Sequence, residues 1–581
     1  MAILLLFIFL FGLINYIFQK KKSLSLAFIY ATIIWSISTI LITEISSFFK
    51  AYNYTSSIVF WSILAVGITY LNLNKHCIKI TPYLTWYKEN KKISLFFGGF
   101  TILLLIQGII YPPNNWDSMT YHMARITHWV MNESIEPYPT HIYRQIYQPP
   151  LAEWMISQIC LLNKADYFAN SLQLFFLLAT LGVINLLIHL LKLDRKTRIT
   201  ALILVFTTPS IFMQATATQN DIVVGFFIVC IIYFLLLFFK EKNNISSLLL
   251  GISIGCALLT KGTAFVYLIP IMCLGMILLI QNIFQKQFIF LKDIQLLILI
   301  VSMSISIPFK HYYRNYELSH DIFGASDDHY FNENPSIQST SLGLIKNIGI
   351  HLSTPLTASL TNQVIEKSHL ICKIPINDTK YTYKGIHFKL NQWNHNEDEV
   401  SNVLQIILFV ILLFYLIFKP FSTSTIFKYT AFFCIATFFI FTFILKWQPW
   451  HIRLQVPLFI LLAIPSAIIL NSSKNDKIQL TTVFIAALYC LLLAFYNPNR
   501  PIIKNCKQRK IETRFDKFFV AMPLYLSEYK LWRYKLNKNI KTNWDVHGDT
   551  WEYPIYYDCF SSKREELNIV HIKNKSKYAI K

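Results

Sequence analysis

The sequence predicts an all-α, polytopic membrane bundle of about fourteen spans, with extracytoplasmic loops and a small soluble C-terminal domain. Two proportions and two patterns predict it. Hydrophobic residues make up 54% of the 581-residue chain and charged residues only 14%, against roughly 45–50% and 25% in soluble proteins. Apolar runs near the ~20 residues needed to cross a bilayer recur along most of the chain. Basic residues gather in the short loops between alternate runs, as they do in loops retained in the cytoplasm.

The runs fall at roughly 2–18, 24–48, 56–73, 93–111, 168–191, 198–213, 221–239, 245–260, 264–282, 288–308, 401–419, 426–446, 453–471 and 478–496. The first is followed by Lys20–Lys22. A secretory signal carries its charge before the apolar core, so this run reads as a span. With Lys20–Lys22 in the cytoplasm, Lys91, Lys92, Lys192, Arg195, Lys196, Lys240 and Lys242 fall on the same side. The net charge of +22 then reflects topology rather than nucleic-acid binding. The ten cysteines form no CxxC pair and no zinc spacing. Cys506 and Cys559 share the tail, where an oxidising compartment would permit a disulfide.

Five regions follow: N-terminal spans and a cytoplasmic loop over 1–93, a membrane module over 94–310, and an extracytoplasmic loop over 311–400. Spans over 401–496 and a C-terminal extracytoplasmic domain over 497–581 complete the chain. The polar residues with chemical potential collect on the side opposite the basic loops. In the first outer loop Pro112 and Pro113 end a span, and Asp117 stands where a new helix begins. At helical spacing Asp117, Tyr121, Arg125 and His128 share a face. Such a face suits an anionic substrate beside a base; helix capping and a solvated surface explain it equally well. The loop ends with Gln148-Pro149-Pro150-Leu151, then Glu153 and Trp154, the latter reading as an interfacial anchor.

Asp221 opens an apolar helix after a Thr/Ala-rich turn, as a cap or as a cavity-facing acid. Lys261, in Leu259-Thr260-Lys261-Gly262, opposes the positive-inside trend and needs a partner: a phosphate, or headgroups reached by snorkelling. His311 and Arg314 follow a span on that side, and Arg453 opens one in Arg453-Leu454-Gln455-Val456-Pro457.

Taken in order, these residues resemble the GT-C superfamily of integral-membrane glycosyltransferases, in the branch of protein mannosyltransferases and the lipid A aminoarabinose transferase. The likeness rests on Asp117, Pro149-Pro150-Leu151, Asp221, the Leu-Thr-Lys-Gly turn at 259–262 after Gly251 and Gly255, and Arg453-Leu454-Gln455-Val456-Pro457. It covers roughly 94–310 well and 401–496 loosely. Two positions depart from it. Ser118 follows Asp117 where mannosyltransferases carry Asp-Glu, and Gln148 precedes the prolines where histidine is frequent. Both argue against protein O-mannosylation. The first loop has no Asp-x-Asp, which argues against a metal-dependent oligosaccharyltransferase-like scheme.

The resemblance implies a hexosyl- or pentosyltransferase that moves a sugar from a polyprenyl-phosphate donor to an extracytoplasmic acceptor with inversion. In that scheme Asp117 is the general base and Asp221 orients an acceptor or a phosphate-site cation. Tyr121, Arg125, Lys261, His311, Arg314 and Arg453 serve the substrate and its phosphate, with His122, Glu133 and Glu153 in reserve. No cofactor is expected, and a divalent metal stays open. The acceptor would be a glycolipid, a polysaccharide or a protein. Abundant Ile and Lys with little Ala point to an AT-rich genome and a bacterial inner membrane, its active face extracytoplasmic. Two other readings compete. One is a polysaccharide polymerase or ligase using a lipid-linked glycan. The other is a lipid or solute transporter, which mid-span charges and a twofold repeat would favour; the sequence shows few of the former and none of the latter.

Overall fold

In the computed structural model the described residues are 2–75, 88, 90–324, 330–390, 395–418, 424–472, 476–504, 513–538 and 548–561. Cys506 lies outside them. The described chain is a helical membrane bundle. Among the described residues ten helices are long and apolar enough to cross a bilayer, from Ile3–Lys21 to Asp476–Phe495. Three shorter apolar helices, Asn244–Thr260, Val403–Phe418 and Val456–Ser472, match three more of the expected runs. β-structure among the described residues amounts to two isolated bridges, Phe331 with Leu445 and Thr382 with Trp447.

The expected run at 198–213 is not one span. It forms Arg195–Phe206 and a separate short helix Pro209–Gln214. Pro209 has no N–H and forces Thr208 into extended backbone, at φ −70° and ψ 119°. The Thr207 and Thr208 hydroxyls bond back to Ile203 O and Leu204 O, closing the broken turn. The run at 288–308 errs the other way, continuing as a helix from Phe290 to Ser319. At ~1.5 Å per residue its 30 residues span about 45 Å, well beyond a ~30 Å hydrocarbon core. Lys310, His311 and Arg314 therefore ride on a helix rather than in a loop.

Small residues set the helix spacing that builds the site. A Cβ on Gly251 would meet Ile300 O at 2.6 Å, and one on Gly255 would meet the Ile307 Cβ at 2.8 Å. Helices Asn244–Thr260 and Phe290–Ser319 thus pack nearly backbone to backbone, as small-xxx-small faces do in membranes. Gly225 does the same for helix Asp221–Glu241, where a Cβ would meet the Ile460 side chain at 2.7 Å. That contact brings Asp221 beside the turn His451–Leu454, which carries Arg453.

The described tail residues join the same apolar core as the bundle. Phe515, Phe518, Trp551 and Tyr553 are buried in it. Glu552 accepts from His128 at 3.0 Å and from Gln145 at 2.9 Å, and Tyr553 donates to Asp166 at 2.8 Å. The tail is a strap across the first loop.

Candidate active site

Asp117 is the first residue to place. It precedes the five-residue π-turn Ser118–His122, which leads into helix Met123–Asn132. Its side chain makes no cap hydrogen bond; Asn115 Oδ1 takes that role, accepting from Ser118 N at 2.7 Å. The capping explanation therefore fails for Asp117, and its carboxylate turns to the cations. Arg453 Nη2 lies 2.5 Å from Asp117 Oδ2, and Tyr121 Oη donates to the same oxygen at 3.2 Å. The other nitrogen, Nη1, meets Asp398 Oδ1 at 2.9 Å, and Gln219 Nε2 donates to that oxygen at 2.6 Å. One guanidinium fork thus joins two carboxylates, a geometry that lysine does not offer.

Asp221 is the first residue of its helix, and the cap position falls to Asn220, whose side chain makes no cap hydrogen bond. Asp221 accepts from Lys261 Nζ at 2.5 Å. Lys261, which needed a partner in the sequence, finds it in Asp221. The second oxygen, Oδ2, is buried without a hydrogen bond, as is Arg453 Nε.

Neighbouring turns hold the two ion pairs together. Asn220 donates to Thr260 O at 3.1 Å, Ser118 and Thr218 share a hydroxyl bond of 2.6 Å, and Tyr267 donates to Leu454 O at 2.7 Å. Behind them sits a fully buried hub. Arg500 pairs with Glu397 at 2.5 Å and donates to Asn114 Oδ1 at 2.9 Å and to Thr216 Oγ1 at 3.1 Å. Asn499 donates to the other Glu397 oxygen at 2.8 Å. The first loop, the Thr/Ala turn, the segment 395–402 and the chain after the last span meet at this point.

The electrostatics separate the carboxylates. Burial pushes the Asp117 carboxyl up, but Arg453 and Arg144 hold it down at about 2. Burial pushes Asp398 up to about 6 despite Arg453, with Asp117 and Glu397 adding to the rise. Burial lowers Lys261, and Asp221 opposes the drop. Burial also works against the Arg453 charge, but Asp117 and Asp398 keep it firmly protonated.

The remaining expected site residues sit elsewhere. The π-turn inserts a residue, so Arg125 and His128 leave the face of Asp117 and Tyr121. Arg125 is fully buried against Glu153, which also holds His122, and it donates to Gln148 O at 2.8 Å. His311 bonds Tyr147 O at 3.1 Å, and Arg314 grips Glu44 through two bonds of 2.7 and 3.0 Å. These two line a void of about 20 Å³, room for one or two waters rather than a lipid phosphate. Glu133 ends helix Met123–Asn132 in the left-handed region, φ 53°, and accepts from Tyr52 N at 3.0 Å through its carbonyl.

The sequence reading missed Asp398, Arg144, Glu397 and Arg500. Asp398 lies in Asn394-His395-Asn396-Glu397-Asp398, an acidic spot just before a span. That position was the one available signal. Among the described residues no group of three His, Cys, Asp or Glu could hold a metal ion.

The site is thus a buried constellation of acids and bases within a helical membrane bundle. Residues 147–323 match the family model described as dolichyl-phosphate-mannose-protein mannosyltransferase. The match contains Pro149-Pro150-Leu151, Asp221 and the Lys261 turn, and it begins after Asp117. It bears out the expected resemblance and, with it, a glycosyltransferase. No curated protein matches the chain. Among solved structures, ArnT from Cupriavidus metallidurans bound to undecaprenyl phosphate is similar at 13% identity and a TM-score of 0.42. That alignment covers 81% of this chain and 75% of that one. The apo state of the same protein is similar at 12% identity and TM-score 0.42, over 83% and 78%.

Proposed function

We propose that the protein transfers a sugar from a polyprenyl phosphate to a hydroxyl of an extracytoplasmic acceptor, inverting the anomeric carbon. The observation that carries this reading is Asp117, an uncapped carboxylate clasped by Arg453 next to the Asp221–Lys261 pair. Arg453 and Lys261 supply the charge that a departing lipid phosphate requires. Arg144 stands close enough to add to it.

The resting ion pair suits a substrate-gated base. A carboxyl held near 2 is a poor proton acceptor. A donor phosphate arriving at Arg453 competes with Asp117 for the guanidinium. Released from it, the Asp117 carboxyl rises and becomes the better base where the sugar has just bound. The acceptor oxygen attacks the anomeric carbon and its proton passes to Asp117. The phosphate leaves with the bonding electron pair, so no general acid is required. Asp221 keeps Lys261 oriented toward that phosphate.

The test is transfer by the full-length protein in lipid nanodiscs, using membrane extracts as acceptor and mass spectrometry as readout. Polyprenyl-phosphate sugar consumed by wild type and left intact by Asp117→Asn supports the reading. Equal turnover by the two proteins overturns Asp117 as the base. The polymerase or ligase reading would show instead as products extended by whole glycan units. A transporter would leave the donor chemically unchanged.

A further inference from the structure

The first loop, the segment before the Val403 span and the tail enclose a cavity of about 500 Å³. Its walls include Trp116, Trp551, Phe518 and Tyr496, and Asp398 lies in its lining. Trp116 and Trp551 meet edge to face, with centroids 5.2 Å apart, and Trp116 remains 39% exposed. The volume falls within the roughly 300–1,000 Å³ typical of small-ligand sites.

We propose that this cavity is the acceptor subsite, and that it takes a neutral carbohydrate ring stacked on Trp116 with hydroxyls bonded to Asp398. The inference rests on the transfer reading above. Three observations support it. First, the cavity touches the chemistry. The guanidinium that holds Asp398 at 2.9 Å holds Asp117 at 2.5 Å, so a hydroxyl beside Asp398 is one side-chain width from the base.

Second, the charge is wrong for an anionic acceptor. Among the described residues lining the cavity there is no Lys or Arg, and the single imidazole is that of His395. Arg453 stands beside Asp398, already shared between two carboxylates. A phosphate or uronate in the cavity would face Asp398 with no lysine or arginine of its own, His395 being the one basic side chain in the described lining.

Third, the walls match a pyranose. Its C–H face is apolar and lies flat on an aromatic ring, while its rim of hydroxyls donates to a carboxylate. Two of the amides in the lining are committed to the frame. Asn114 donates to Asn499 O at 2.6 Å, and Asn499 donates to Glu397 at 2.8 Å. They are fixed walls rather than mobile ligands. A peptide acceptor is the competing macromolecule, but it gains less from a lone exposed indole beside a carboxylate.

The experiment is saturation-transfer NMR on the full-length protein in nanodiscs. The probes are cellobiose, N,N′-diacetylchitobiose, digalacturonate and a Ser/Thr-rich peptide. The expected result is saturation transfer to the neutral disaccharides. Trp116→Ala should weaken their binding by about tenfold, and Trp116→Phe should largely restore it. Trp116 is exposed, so these variants should fold. Silence from both neutral disaccharides, an unchanged affinity in Trp116→Ala, or preference for digalacturonate or the peptide overturns the proposal.

Farnesyl phosphate, added to the same samples, separates this proposal from the reading beneath it. Its binding, lost in Arg453→Ala, with silent disaccharides overturns the acceptor proposal alone. Disaccharide binding without farnesyl phosphate binding supports the cavity and overturns the lipid-phosphate donor.

Discussion

Arg453 is the side chain on which the site depends, because two carboxylates share its fork. Arg453→Lys keeps the charge and loses the bidentate geometry. The expected outcome is a fall in turnover of about ten- to a hundredfold with membrane insertion unchanged, measured as donor consumed per protein in nanodiscs. On the proposed mechanism Asp117→Asn should cost more, roughly 10²–10⁴-fold, because the base could no longer accept a proton. At this scale the sequence was partly legible. Asp117, Tyr121, Asp221, Lys261 and Arg453 could be singled out because each breaks a local rule, as a charge at a span edge or a lysine on the wrong side. Asp398 carried only the weak signal of its place just before a span. A carboxylate in a loop is ordinary until folding buries it against Arg453. Arg125, His311 and Arg314 looked equally suspect, yet they pair with Glu153, Tyr147 O and Glu44, partners that no spacing rule names.

At the scale of elements, two segments report their own packing. Helix Ile337–His351 buries Lys346, which donates to Thr382 Oγ1 at 3.0 Å and lies 5.4 Å from the Phe388 and Trp447 ring centroids. Burial lowers its pKa to about 7, with Asp378 opposing. The unfolded lysine titrates near 10.4. Between about pH 7 and 10 the folded state therefore holds fewer protons than the unfolded one, and stability rises with pH. Amide-exchange protection of this helix should increase across that window, beyond the intrinsic exchange trend, and Lys346→Met should flatten the increase. The second segment is the Arg500–Glu397 hub. Removing one partner of a buried, hydrogen-bonded pair costs about 3–5 kcal/mol. Arg500→Ala should loosen both the first loop and the tail strap, seen as faster proteolysis after Arg144 and Lys530 while the spans stay intact. Neither packing was readable in advance, because Glu397 and Arg500 lie 103 residues apart.

For the whole molecule, the prediction concerns sidedness. Leu524, on the tail strap, is 91% exposed, and Lys20 lies in the last turn of the first span. If Asp117 faces outward, an impermeant thiol reagent should label Leu524→Cys in intact cells. Lys20→Cys should react only after permeabilisation, both in a background with Cys77, Cys273, Cys372 and Cys506 replaced by Ser. The reverse pattern would place the site in the cytoplasm and remove the case for a lipid-linked donor. The tail bears on this scale too. The sequence suggests a separate domain over 497–581, whereas its described residues complete the wall of the first loop.

By itself the sequence determined that the protein is a helical membrane bundle, roughly where its spans lie, and that it resembles GT-C glycosyltransferases. Those properties depend on composition, run length and the cost of leaving backbone polar groups unpaired in lipid, all of which are local. Tertiary structure decided where one run breaks at Pro209, that another continues to Ser319, and which cations meet which acids. It also set Asp398 against Arg453 and packed the tail over the first loop. Those outcomes depend on desolvation and on contacts between segments tens to hundreds of residues apart, and a charge has no partner until the chain has folded around it.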